Sequence, residues 1–467
     1  MKLLKINLKK FIILSFVFMI SIFIYSCDNK KEKTYNIIMT NATIPPLMAT
    51  LDAIDNGNET YMWYGRPFTF ASIDNLEKIV NIVKKEDVNQ KGINADAITV
   101  MQRKVNQLYQ KNKKANFRFY VTDYGVEVAL RVMTMNKIPE DQYKVILLED
   151  GNGSYTNFKD NYYNVNSIEE LNNNISIVNE TFEKAKNQKL GSIVEAFEGN
   201  IHNWALAVAY ATRDNVEYWL QFPDMIESKD QEIKKMLDDK EIHFIKKNLT
   251  SMYSNINEDK KSTFKNIIID DNIKNIMTFN NDKPILMITG TSYTGEQLGT
   301  SENEEINQLL ETNNYNDFFE ATFDYITEKY SNKYNFVLKP HPSWTPSLDE
   351  KYKGASWKNE EDLENRVDFL EEKNIKVLPG QTPAEAIMWA YPNVFLGGYN
   401  SSLYMNEQNG KTLFFIGLEN ASGLSSPVNE LVENGTVFAG YDEDNKKISP
   451  LFITIDMIKE WLQNEKH

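Results

Sequence analysis

Cysteine is almost missing from this chain: among 467 residues there is one, Cys27, so no internal disulfide can form. A single thiol at the end of an apolar N-terminal run is explained by processing better than by packing. Basic charge is short as well. With 51 Lys and Arg against 66 Asp and Glu, the formal net charge is -15 and the pI is near 5.0. Nucleic acid, which needs a basic stripe on its partner, is excluded as a class of ligand. The 4 histidines include no pair at zinc-ligand spacing. His202 and His243 read as packing or surface residues. The loop Gly290-Thr291-Ser292-Tyr293-Thr294-Gly295 lacks the Gly-Lys-Ser/Thr ending of a P-loop. There is no internal repeat, and no low-complexity tract beyond a bias to asparagine and lysine. What is present is a chain of 42% hydrophobic residues, long enough to form two domains of α/β size.

The N-terminus has a signal-peptide layout: Lys2, Lys5, Lys9 and Lys10 precede the apolar run from Phe11 to Tyr25, which ends at Ser26-Cys27. Ile24-Tyr25-Ser26-Cys27 resembles a bacterial lipobox, whose cysteine becomes the lipidated first residue. The expectation is a membrane-associated protein, anchored by lipid at Cys27 or by an uncleaved apolar segment. Residues 1–27 are thus the leader or anchor and 28–34 a linker. Lysines on both sides of the run leave the membrane face open.

Strands and helices then alternate, which implies parallel sheets. Tyr35 to Met39 reads as a first strand, with a helix from Pro45 to Ile54. Phe117 to Val121 is the next strand, followed by a helical pattern from Val126 to Met135. Lys144 to Leu148 forms a third and delivers Glu149-Asp150-Gly151 to its carboxyl end, where open α/β sheets bind ligands. Read alone, those carboxylates could equally make a solvated acidic turn. From Ser167 to Lys274 the pattern is mainly helical, with one strand at Val216 to Leu220. A second domain opens with the strand Lys283 to Thr289. A long amphipathic helix follows from Glu302 to Lys329, with Ser301 and Glu304 as its capping box. Phe336 to Leu338 then leads to Lys339-Pro340-His341-Pro342, a histidine on a backbone stiffened by two prolines. Glu385 stands in the first turn of a short helix, a position that the helix dipole alone favours for an acid. The run Val394-Phe395-Leu396 enters Gly397-Gly398-Tyr399-Asn400-Ser401-Ser402, where Ser401 can cap a helix. Such a turn is either an ordinary capped helix or a seat for phosphate. Leu413 to Ile416 is a further strand, and Ile448 to Gln463 has helical spacing.

In this order, Glu149-Asp150-Gly151, Lys339-Pro340-His341-Pro342, Glu385 and Ser401-Ser402 resemble the bacterial CMP-sialic acid sialyltransferases of glycosyltransferase family 80. Asn41-Ala42-Thr43-Ile44-Pro45-Pro46-Leu47 and Thr289-Gly290-Thr291-Ser292-Tyr293 are similar to that family's opening turn and threonine-rich loop. The resemblance implies an α/β chain of GT-B type, with two Rossmann-like domains facing each other across a cleft. Residues 35–282 would form the acceptor domain with the general base, and residues 283–447 the CMP-sugar domain. Residues 448–467 would form a helix packing back on the first domain. It also implies inverting, metal-independent transfer of sialic acid from CMP to a sugar hydroxyl, such as that of a galactoside in a surface glycan or lipooligosaccharide, with the CMP-sugar as substrate and no cofactor. By the same resemblance Asp150 is the base and His341 serves the departing phosphate. Ser401 and Ser402 hold that phosphate, while Lys339, Pro342 and Glu385 stand at the CMP donor. The neighbouring Glu149 would raise the proton affinity of Asp150. The chain departs from the family's pattern at Pro340, usually glycine, in lacking a tryptophan near Thr294, and in lacking a histidine around Thr122-Asp123-Tyr124-Gly125. Another CMP-activated nonulosonic acid or Kdo would make the same phosphate contacts. A lipid-anchored solute-binding protein would share the acylated cysteine and paired α/β domains, yet would need neither the rigid histidine nor the paired carboxylates.

Overall fold

The computed structural model describes residues 33–64, 70, 72–83, 95–162, 167–190, 205–227, 231–242, 244–290, 315–340, 368–380, 382–407 and 409–465. The leader, His202, His243, Ser301, Glu304, His341, Pro342 and most of the threonine-rich loop lie outside these residues.

Two parallel sheets organise the chain. The first contains β1 (Thr34–Thr40), β2 (Glu59–Tyr64), β3 (Asn81–Ile82), β4 (Asn116–Thr122), β5 (Tyr143–Leu148), β6 (Val216–Leu220) and β7 (Phe244–Lys246), in the spatial order β3-β2-β1-β4-β5-β6-β7. The second contains β8 (Ile285–Thr289), β9 (Asn335–Lys339), β10 (Ile375–Val377), β11 (Val394–Gly398), β12 (Thr412–Ile416) and β13 (Leu451–Ile453), in the order β10-β9-β8-β11-β12-β13. Each sheet therefore runs outward from its first strand and then reverses, the doubly wound arrangement of a Rossmann domain. Central strands read as near-continuous apolar runs because helices cover both faces. Val145, Ile146, Leu147 and Leu148 of β5 are fully buried.

The strands read from the sequence are found within a residue or two at each end. Five others were not read: β2, β3, β7 and β10 are short or carry polar residues, as in Glu59-Thr60 and Asn81, and β13 lies in the stretch read as helical. The helical segment from Val126 ends at Val132 and continues as a tighter turn at Thr134–Asn136. Of the long helix expected before β9, the described part is Tyr315–Tyr330.

The closing segment differs from expectation. Leu451–Ile453 forms the edge strand β13, and only Ile455–Glu465 is helical. That helix packs on Tyr315–Tyr330 of the second domain instead of crossing back to the first. Ile453 and Ile458 enter the second domain's core, and Trp461 Nε1 donates to Glu328 Oε2 at 3.0 Å. The apolar spacing was therefore satisfied by the nearer core.

Between the domains, the Tyr253 and Trp389 rings stack 4.8 Å apart at an interplanar angle of 10°. Thr250 Oγ1 donates to the carbonyl of Asn406 at 3.2 Å. One hydrophobic core runs from the first sheet through these contacts to Met287, Val337 and Leu396 of the second.

Candidate active site

The carboxyl ends of β4 and β5 lie side by side, since Thr122 pairs with Leu148. Asp123 and Glu149 follow those paired residues, and both side chains are buried with no exposed surface. Glu149 accepts from Tyr155 Oη at 2.5 Å, from the Gln221 backbone N–H at 2.7 Å and from Gln221 Nε2 at 2.7 Å. Burial nevertheless pushes Glu149 up to about 7, because desolvation of the charged form outweighs those donors. Asp123 accepts from Ser154 Oγ at 2.5 Å, Tyr218 Oη at 2.6 Å and the Tyr124 backbone N–H at 2.9 Å. Burial pushes it up to about 7 as well.

Asp150 is the next residue and is partly exposed. Its backbone N–H donates to Ser154 Oγ at 2.7 Å. Gly151 then takes a left-handed backbone, φ 54°, and turns the chain into the helix Asn152–Tyr162. A methyl group at Gly151 would stand 3.1 Å from Ser402 Cβ and 4.0 Å from Ile44 Cγ1. The turn that carries Asp150 thus lies against the serine turn of the second domain and near Ile44, which follows β1. Asn152 Nδ2 adds a hydrogen bond to Ser425 Oγ at 2.5 Å, and Ser425 Oγ donates to Asn400 Oδ1 at 3.2 Å.

The serine turn itself is tighter than expected. β11 ends at Gly398, and Ser401 caps the 3-10 turn Ser402–Asn406, with its Oγ accepting from the Leu403 N–H at 3.3 Å. No α-helix starts there, so the partial charge of a long helix is absent and the polar groups at hand are hydroxyls and turn amides. Ser401 and Ser402 are both partly exposed. Behind them Thr289 Oγ1 lies 2.9 Å from Tyr404 Oη and donates to the Tyr399 carbonyl at 3.0 Å.

Lys339 ends β9 and is almost fully buried. Its ammonium donates to the carbonyls of Pro340 and of Gly380, the latter at 2.8 Å. Burial lowers it to about 7, a shift that the nearby Glu385 carboxylate partly opposes. Glu385, also buried, is raised by desolvation and lowered in part by Lys339. Each keeps the other's charge from being wholly uncompensated.

Among the residues singled out from the sequence, Gly151, next to Asp150, is brought against Ser402 across the domain boundary, and Lys339 and Glu385 are buried within electrostatic reach of each other. Asp123, Ser154, Tyr218 and Gln221 were not singled out. Asp123 could have been, because it ends a parallel strand next to the one that delivers Asp150. Among the described residues, no three His, Cys, Asp or Glu side chains converge as a metal site would require.

No family model and no curated protein matches the chain. Solved structures do. A 2,6-sialyltransferase of a Photobacterium species, in a ternary complex with CMP and lactose, is 15% identical, with a TM-score of 0.59 over 90% of this chain and 78% of that one. The α/β-galactoside α-2,3-sialyltransferase of Photobacterium phosphoreum is 14% identical, with a TM-score of 0.56 over 92% of this chain and 100% of that one. The GT-B domain of the Photobacterium damselae sialyltransferase is also 14% identical, with a TM-score of 0.55 over 90% and 100%. Identity at this level speaks for architecture: the chain has the two-domain GT-B fold that these bacterial sialyltransferases have.

Proposed function

We propose that this protein is a glycosyltransferase that moves sialic acid from CMP-sialic acid to a sugar hydroxyl, with inversion and without a metal ion. The observation that carries the reading is the contact of the Asp150-Gly151 turn with Ser402 at the carboxyl ends of two Rossmann-like sheets. A base on one domain and phosphate donors on the other are what such a transfer needs. Asp150 would take the proton of the acceptor hydroxyl as its oxygen attacks the anomeric carbon. Ser401 and Ser402 would hold the phosphate whose negative charge grows as the bond to CMP breaks. His341 is proposed to serve that leaving phosphate. Lys339, Pro342 and Glu385 are proposed to stand at the CMP moiety, with Lys339 acting through the Pro340 and Gly380 carbonyls that it binds. The acceptor is proposed to be a galactoside, and membrane attachment to run through Cys27.

The test is incubation of the purified full-length chain with CMP-sialic acid and a panel of galactosides, following CMP release and sialylated product. Turnover with at least one acceptor is expected. Folded protein that binds CMP yet turns over no CMP-sugar would sink the proposal.

A further inference from the structure

Behind Asp150 lies a short chain of hydrogen bonds with one direction. The Asp150 N–H donates to Ser154 Oγ, Ser154 Oγ–H donates to Asp123 Oδ2, and Tyr218 Oη–H donates to the same Asp123 oxygen. Ser154 has one hydrogen, and committing it to Asp123 leaves its lone pairs facing the Asp150 amide. The three residues come from different elements: Asp123 from the end of β4, Ser154 from the helix Asn152–Tyr162 and Tyr218 from β6. Their side chains are buried, so water does not substitute for any link. Asp150 is the residue where the strand ends and the left-handed Gly151 begins. A backbone changing direction there is held by whatever grips its amide.

We infer that Asp123 is a positioning residue for the transfer reaction: acting through Ser154, it fixes the main chain of Asp150 and with it the aim of the base. This rests on the reading of Asp150 as that base. Asp123 performs the role as an acceptor, in its ionised form. A proton on Oδ2 would make that oxygen a donor and release the Ser154 hydrogen. The groups facing it are Glu149 and Asp150 beyond β5, Ser154 on the following helix, Tyr218 on β6 and the adjacent Tyr124 amide. Displacement of a catalytic group by about 1 Å costs on the order of 100-fold in rate.

The experiment is a double-mutant cycle in the full-length chain with CMP-sialic acid and lactose, in which Ser154→Ala and Asp150→Asn are made singly and together and CMP affinity is measured alongside. Ser154→Ala is expected to lower kcat by roughly 10- to 100-fold with CMP affinity unchanged. It should have almost no further effect in the Asp150→Asn background, because a relay acts only through the group it aims. Additive losses, or a wild-type kcat in Ser154→Ala, overturn the inference alone. Full transfer by Asp150→Asn overturns the assignment of the base and this inference with it. Should Ser154→Ala not fold, Tyr218→Phe gives a second readout. It removes one donor that favours ionised Asp123, so the acid limb of the kcat profile moves to higher pH. Glu149 titrates in the same range in both proteins and cancels in that comparison. An unmoved limb overturns the inference.

Discussion

Glu149 is surrounded by donors that suit its ionised form, inside a site that resists charge, and the second effect is the larger. Its behaviour in the unfolded chain is that of an ordinary carboxylate, with a pKa of about 4.3. Folded, it holds its proton up to about 7. Between those values the native state binds more protons than the unfolded state, so this group's contribution to stability is complete at low pH and is lost as pH rises. Asp123 contributes with the same sign. Lys339, lowered to about 7 by burial, acts at higher pH and in the opposite direction. A single displaced group changes stability by at most about 1.4 kcal/mol per pH unit. Urea unfolding of wild type and Glu149→Gln between about pH 5 and 7 should therefore show the wild type losing ground to the variant, by roughly 1 to 3 kcal/mol across the window. A difference that is the same at every pH would mean that Glu149 does not carry the shift. At this scale the sequence pointed to Asp150 through its place at a strand end. The bonds behind it were hidden, because Asp123, Ser154 and Tyr218 are separated by 31 and 95 positions and meet only when β4, β5 and β6 pair.

The Gly397-Gly398 step shows how an element can be located from sequence and its chemistry still be misjudged. The glycines suggest a backbone opened for an anion, whereas the structure gives them packing reasons. A methyl group at Gly397 would lie 2.5 to 2.7 Å from ring atoms of Phe414. At Gly398, where φ is 132°, it would lie 2.4 to 2.5 Å from the Thr289 backbone and hydroxyl. β11 sits between β8 and β12, so neither neighbour can retreat without breaking a ladder. Gly398→Ala combines a backbone conformation that side chains avoid with a collision against main chain. A loss of roughly 3 kcal/mol or more is expected, read as a lowered urea midpoint. A loss under about 1 kcal/mol would show that the strand can shift to accept the methyl group. The serines lie beyond this rigid step, so their position is set by strand packing instead of by a helix. That could not be read from the sequence, where Ser401 fits the cap of an α-helix as well as that of a 3-10 turn.

At the scale of the whole molecule, two sheets with the same winding are bridged by one hydrophobic core, the second sheet has a further core on its other face, and their carboxyl ends meet at Gly151 and Ser402. This much was legible because buried parallel strands advertise themselves as apolar runs between amphipathic helices. The destination of the last helix was not, since apolar spacing says that a face is buried and not which core buries it. The same architecture bears on the proposed anchor. β1 begins at Thr34, only seven residues after Cys27, and its first residue pairs with Asn116 in the sheet. A lipid on Cys27 would thus hold the folded body close to the bilayer through a short polar tether. The net charge of -15 offers no attraction of its own to an anionic surface. Membrane association would then depend on the N-terminal segment alone. Cys27→Ser, expressed in a lipoprotein-processing bacterium, is expected to lose incorporation of labelled palmitate and to retain its leader. With wild-type residues from Lys33 onward, Asp150 and Ser402 among them, it should fold unchanged, with kcat/KM on a soluble acceptor within about 2-fold of wild type. If the wild type takes up no palmitate and the variant fractionates identically, the apolar run is an uncleaved anchor and Cys27 is not its attachment point.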